Sequence, residues 1–248
     1  MRMAPIDRKA VAESATRLLA SGRATEAIDW LSAAVEQDAD AGRLWELRGR
    51  ALLDLHDAAG AVRSLEHALC LVPLTAEGQF ALASAYELTG ECGLAADVFV
   101  ALADRDTLPI GLLEPLAGAL GRVGKPAQAL GVCAEAAARL PGEPTPLLGM
   151  AFYHRRLGHH PTRVLPALLQ ALRFEPENDD TRLAVARTLH ECGQTGEAAE
   201  LLSVFPIERS RCPSCLAAMQ QIFEGVGDGH SAGRCVDALV ALATQDDF

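Results

Sequence analysis

The sequence predicts an all-α chain, a right-handed α-solenoid of about seven helix–turn–helix units, and three observations carry that prediction. An alanine returns at a fixed interval: Ala27, Ala61, Ala95 and Ala129, then Val164, Ala198 and Ala232, in steps of 34 residues except one of 35. A glycine keeps the same beat ahead of it, at Gly22, Gly90, Gly124, Gly158, Gly193 and Gly227, with His56 in the one place that lacks it. Self-similarity at this period marks stacked pairs of antiparallel helices. The third observation is composition. Half the residues are apolar but only 4% are aromatic, so the buried seam must be built from Leu, Val and above all Ala, the best helix former and one that lets helices approach closely.

The units run approximately 8–41, 42–75, 76–109, 110–143, 144–178, 179–212 and 213–248, and together they make one solenoid domain spanning 1–248. In the second unit, Trp45, Gly49, Leu52, Ala61, Leu65, Ala68 and Pro73 fall at the offsets W-x3-G-x2-L-x8-A-x3-L-x2-A-x4-P. The third supplies Leu82, Ala83, Tyr86, Gly90, Ala95 and Phe99, and the fourth Leu113, Leu116, Ala117, Leu120, Gly124, Ala129, Ala136 and Pro141. This pattern resembles the tetratricopeptide repeat, and the resemblance covers roughly residues 8 to 244. Its physics is legible without the family. A large residue on the first helix and a small one a turn later make a knob and a hole. The recurring Ala sits where the two helices of a unit cross, where a longer side chain would push them apart. The glycine supplies a left-handed C-cap, and proline stops the second helix.

Two units depart from the pattern. The step of 35 is localised, because Gly158 to Val164 spans six residues where the other turns span five, which places one extra residue in Gly158-His159-His160-Pro161. Pro166 then falls early in the second helix of that unit and removes or distorts one backbone bond, and Val164 in place of Ala suits a slightly splayed pair. The last unit is an atypical cap, as terminal repeats are. Pro213 to Glu224 reads as its first helix and Ala232 to Thr244 as its second, separated by the glycine-rich turn 225–231. Gln220 stands where earlier units carry Gly49, Ala83 and Ala117, so contact there is expected to be looser.

The tetratricopeptide resemblance implies that the first helices line a concave groove. Counting each turn glycine as position 15 of its unit, the groove-facing positions are about 2, 5, 9, 12 and 13. They collect Phe80, Leu148, Phe152 and Leu183 as an apolar floor, with Arg122, Arg155, Arg156, Arg187 and His190 around it. Arg122 and Arg156 share one register position in successive repeats, so like charges fall side by side unless a partner or Glu87, Glu114 or Glu191 answers them. Arginine pairs bidentately with carboxylate, so this set suits a protein or peptide segment with an apolar anchor and acidic residues. An equally simple account is that these arginines solvate a helical face and pair internally. The clamp by which some members of this family hold a chain-terminal carboxylate is absent: Ala12, Thr16, Leu47, Glu77 and Ala81 occupy its places.

No catalytic constellation stands in a suitable context, and no cofactor or metal is expected. A net charge of −11 argues against a nucleic-acid partner. The charged N-terminus (Arg2, Asp7, Arg8, Lys9) and the lack of any long apolar run predict a soluble, cytoplasmic chain with no membrane partner. Seven scattered cysteines, an odd number, argue against disulfide stapling. Cys212-Pro213-Ser214-Cys215 is the one motif that invites chemistry, as a redox pair or half a zinc site at a helix start; structural thiols are the preferred reading, since no strand-and-helix context accompanies it. His56, His159, His160, His190 and His230 fall at turns and read as surface residues. The function the resemblance implies is a non-catalytic scaffold or adaptor holding a peptide or partner protein in its groove. The alternatives are an accessory subunit of a bacterial enzyme complex bound along the convex face, a zinc- or thiol-dependent regulatory module at Cys212 and Cys215, and self-assembly into homo-oligomers.

Overall fold

The structure, a computed structural model, describes residues 7–105 and 107–245. Helices follow one another in packed pairs: α1 (Arg8–Ala20) with α2 (Ala24–Gln37), α3 (Gly42–Asp54) with α4 (Ala58–Leu71), and α5 (Ala76–Thr89) with α6 (Cys92–Ala103). Then come α7 (Ile110–Arg122), α8 (Pro126–Arg139), α9 (Pro144–Arg156) and α10 (Pro161–Phe174). The chain ends with α11 (Asp179–Glu191), α12 (Thr195–Leu202), a 3₁₀ turn at Ile207–Arg209, α13 (Pro213–Gly225) and α14 (Gly229–Gln245). No strand occurs among the described residues. The backbone divides into two compact units, Met1–Val132 and Cys133–Phe248, the division falling within α8.

The turns are made as the glycine beat predicts. Gly22, Gly90, Gly124, Gly158, Gly193 and Gly227 all have φ between 70° and 88°, the left-handed conformation that ends a helix without steric cost to glycine. His56 holds the same conformation at φ 63°, the sole non-glycine residue to do so among those described. It also makes the same capping bonds, with its N–H on the Leu53 carbonyl at 3.0 Å and that of Asp57 on Leu52 at 2.9 Å. A Cβ in this region costs about 1 kcal/mol. Replacing His56 with Gly is therefore expected to stabilise Met1–Val132 by roughly that amount, read as a higher urea midpoint.

Knob and hole are also present. Ala27, Ala61, Ala95, Ala129 and Ala198 have no exposed surface, and Val164 and Ala232 are buried beside them in the series. A Cβ on Gly49 would stand 2.4 Å from Leu65 Cγ, so the Leu65 side chain fills the space that the missing side chain leaves. Helix starts are capped by Asp7, Asp57, Thr75 and Asn178, each accepting a backbone N–H from the first turn of its helix.

The fifth unit carries its extra residue where expected: His160 becomes the N-cap of α10, its Nδ1 3.0 Å from Thr162 Oγ1. The helix runs unbroken through Pro166, and Val164 is buried. The last unit differs from expectation. Helix α14 begins at Gly229 instead of Ala232, because Asp228 caps it by accepting the Ser231 N–H at 3.0 Å, which puts His230 inside the helix. Helix α12 is short, ending at Leu202 ahead of Pro206, and the following 3₁₀ turn buries Ile207 and ties Glu208 to Arg234 of α14 at 2.6 Å.

Candidate functional site

Within Cys133–Phe248, α9 and α11 carry most of the residues expected to face the groove. Leu148, Phe152 and Arg156 are four apart on α9 and form one stripe. Leu148 is half-buried against the core cluster that also holds Leu168 and Leu183. Phe152 is 57% exposed, its ring set edge-on to Tyr153 with centroids 5.1 Å apart. Arg156 is exposed at the end of the stripe. On α11 positions 5 and 9 hold Leu183 and Arg187, and His190 stands at position 12, the equivalent of Arg155. Leu183 is buried and belongs to the core, Arg187 is exposed, and His190 is half-buried with Nδ1 3.0 Å from Thr195 Oγ1.

In these two units position 5 faces the seam and position 9 faces outward. Phe80 shows the same rule within Met1–Val132: it is half-buried against Phe99, with centroids 5.5 Å apart. A residue one turn further along, such as Phe152, has left the seam.

Carboxylates on neighbouring first helices answer two of the arginines. Arg122 of α7 grips Glu87 of α5 bidentately, at 2.7 and 3.0 Å. Arg155 of α9 pairs with Glu191 of α11 at 3.0 Å and donates to Thr188 Oγ1 at 2.6 Å. Thr188 passes the bond on to the Ala184 carbonyl at 2.7 Å. These pairs bridge consecutive repeats within their own compact unit and add register to the stack at little net stability, since they are exposed to water. Tyr86 of α5 similarly ties to Glu66 of α4 at 2.8 Å, its hydroxyl pushed up to about 12 by burial and by that carboxylate.

Three arrangements were not anticipated from sequence. His154, on the last turn of α9, sets its Nδ1 2.7 Å from that of His159, so the two rings share one proton. Burial, then His159 and Arg163, hold His154 below the usual imidazole range. The second is Arg48, which lies over the Trp45 ring at 5.4 Å and donates to the buried Ser64 hydroxyl at 2.6 Å. The third is Glu46, a carboxylate buried between α3 and the start of α5. Its signal in the sequence is the glycine at 78, the third residue of the next unit, which leaves room for it. No group of three or more His, Cys, Asp or Glu side chains suited to a metal occurs among the described residues, and no helix among them is long and apolar enough to cross a membrane.

No family model matches the chain, and no curated protein matches it. Solved structures do. The C-terminal part of a TPR repeat-containing protein from Cytophaga hutchinsonii aligns with a TM-score of 0.69 at 13% identity, over 93% of this chain and 95% of that one. YrrB, described as a TPR protein with an unusual peptide-binding site, aligns with a TM-score of 0.55 at 15% identity, over 73% and 98%. A chain of the Naa15/Naa10 complex bound to HypK-THB aligns with a TM-score of 0.66 at 10% identity, over 95% of this chain and 37% of that one. At these identities the likeness speaks of architecture, and the architecture is that of the tetratricopeptide-repeat solenoid.

Proposed function

We propose that this chain is a non-catalytic scaffold that holds a peptide or partner protein on the face of its first helices, through the stripe on α9. The observation that carries the reading is Phe152, a large aromatic ring 57% exposed at a register position where no core packing requires it. Half-buried Leu148 lies one turn before it and exposed Arg156 one turn after. An apolar anchor followed by a guanidinium suits a segment that offers an apolar side chain and, about one turn further along, a carboxylate. Arg187, exposed on α11 of the same compact unit, is a second cation for such a segment. YrrB and the Naa15/Naa10 complex, as their descriptions state, bind a peptide and a protein respectively, which supports a protein ligand for this fold.

Arg122 and Arg155 are committed to internal pairs, so Phe152 and Arg156 are the informative positions. The Phe152→Ala/Arg156→Glu variant is expected to keep the circular-dichroism melt of the parent and to lose a partner captured from the source organism's lysate by tenfold or more. A partner retained equally by both proteins moves the interface elsewhere.

One observation favours a second reading, an accessory subunit bound along its second helices. Leu165, Leu169 and Phe174 of α10 line a cleft of about 580 Å³ that reaches Cys192 and Gln194, and Leu169 and Phe174 are exposed. Leu169→Asp releases the partner in that case, while the α9 variant keeps it.

A further inference from the structure

The sequence alone leaves Cys212 and Cys215 as structural thiols; their geometry assigns them a chemistry independent of the scaffold reading. Cys212 is the N-cap of α13, and its Sγ accepts the Cys215 backbone N–H at 3.3 Å. Ser214 Oγ lies 3.2 Å from the same sulfur. The two thiols occupy the N-cap and third positions of a thirteen-residue helix, one turn apart on one face, and both are half-buried. The hydrogen bonds that Cys215 and Ser214 direct at the Cys212 sulfur stabilise negative charge on it, and the helix dipole adds to this.

We infer that Cys212 and Cys215 form a redox-active dithiol that reduces a low-molecular-weight alkyl disulfide bearing ammonium and carboxylate groups. The site beside them has matching chemistry. A cleft of about 430 Å³ is lined by both cysteines, with Leu183, Phe205 and Pro206 as its apolar wall and Asp180 and Arg211 at its polar margin, beside Asp179, which pairs with Arg182. A carboxylate and a guanidinium on one rim complement the two charged ends of an amino-acid disulfide, and the wall receives its methylene and sulfur atoms.

The roles of the two thiols are unequal, as exchange requires. Hydrogen bonds from the Cys215 thiol, then Ser214, then the Cys215 backbone hold the Cys212 thiol below its ordinary value. Burial first, then Cys212, pushes Cys215 up to about 11. Cys212 is thus the attacking thiolate and Cys215 the resolving thiol. The Cys212 sulfur attacks one sulfur of the ligand, the ligand S–S bond breaks, and one thiolate departs. That thiolate takes the Cys215 proton. The Cys215 sulfur then attacks the Cys212 sulfur, the mixed disulfide breaks, and the second thiolate leaves with the proton that Cys212 gave up on ionising. The ligand is reduced by two electrons to two thiols, and the protein dithiol is oxidised to one disulfide.

The test uses the full chain, reduced and desalted, with cystine and with neutral 2-hydroxyethyl disulfide as probes, read by intact mass and by mapping of alkylated peptides. The expected product is an internal Cys212–Cys215 disulfide, formed several-fold faster with cystine, with the exposed Cys70 and Cys92 lagging behind. Cys215→Ser is expected to stop at a mixed disulfide on Cys212. Cys212→Ser is expected to leave Cys215 unreacted, and serine, a strong N-cap, keeps α13 intact so that folding does not confound the result. Reaction at Cys70 and Cys92 as fast as at Cys212, or no internal disulfide, overturns the dithiol. Equal rates with the two probes overturn the assignment of the charged cleft.

Discussion

Gly78→Ala is expected to destabilise the Met1–Val132 unit by about 2 kcal/mol, although Ala is intrinsically the better helix former by up to about 1 kcal/mol. The reason lies on the preceding repeat. Glu46 of α3 is only 1% exposed, and its carboxylate lies at the N-terminus of α5. There it accepts a short hydrogen bond from the Thr75 hydroxyl and pairs with Arg43 at 2.6 Å. Thr75 is the α5 N-cap, whose own oxygen accepts the Gly78 N–H at 3.1 Å. A negative charge at a helix start is favourable, and this one is fully hydrogen-bonded, the condition under which a buried charge is tolerated. A Cβ at position 78 would stand 2.4 Å from Glu46 Oε1 and 2.8 Å from its Cγ, inside any real contact distance. Because Arg43 and Thr75 pin the carboxylate, moving it aside breaks the cap network. Glu46→Ala alone is expected to cost about 2 kcal/mol through those lost bonds. In that background Gly78→Ala is expected to become neutral or stabilising, since the space is then empty. Urea unfolding of the four proteins of this cycle measures it; an equal cost of Gly78→Ala in both backgrounds sinks the account.

The same network shows where sequence reading reaches and where it stops. The turn glycines, the crossing alanines and the extra residue after Gly158 were legible because each answers a local, periodic demand: a positive φ, a close helix approach, a counted spacing. The start of α14 at Gly229 was also legible in principle, through Asp228 as a capping residue, but the glycine-rich turn obscured it. Glu46 was missed, because the glycine at 78 that leaves room for it does not name what fills the space. A glutamate in a helix reads as a solvated face, and only the distance between α3 and α5 makes it buried. The groove residues divide for a similar reason. Register placed these residues on the first helices, but a shift of one turn separates Leu183, inside the core, from Arg187, outside it. Whether an arginine is free for a ligand depends on the neighbouring repeat, as Glu87 and Glu191 show with Arg122 and Arg155.

Phe99→Ala carries the largest expected loss, about 3 to 5 kcal/mol, because it empties the largest fully buried side chain in the structure's described residues. Phe99 belongs to α6, has no exposed surface, and meets the Phe80 ring of α5 at 5.5 Å between centroids with a 55° tilt. Nothing larger than a methyl replaces the ring, and helices whose crossing is set by Ala95 at zero exposure are already as close as their backbones allow. Collapse around the cavity is therefore limited, and the cost belongs at the upper part of the range seen for such truncations. Repeats stabilise one another through neighbours, so the loss is expected to appear as faster amide exchange across α5 and α6 as well as a lower urea midpoint. Phe80→Ala, half-buried, is expected to cost about half as much, and the pair is expected to be coupled by about 1 kcal/mol through ring–ring contact. That coupling decides what Phe80 is for. If truncating Phe80 in a Phe99→Leu background costs almost nothing, the ring serves mainly to seat Phe99. A cost that is independent of Phe99 places the Phe80 side chain's value elsewhere in α5, and leaves its exposed edge as a surface for a ligand.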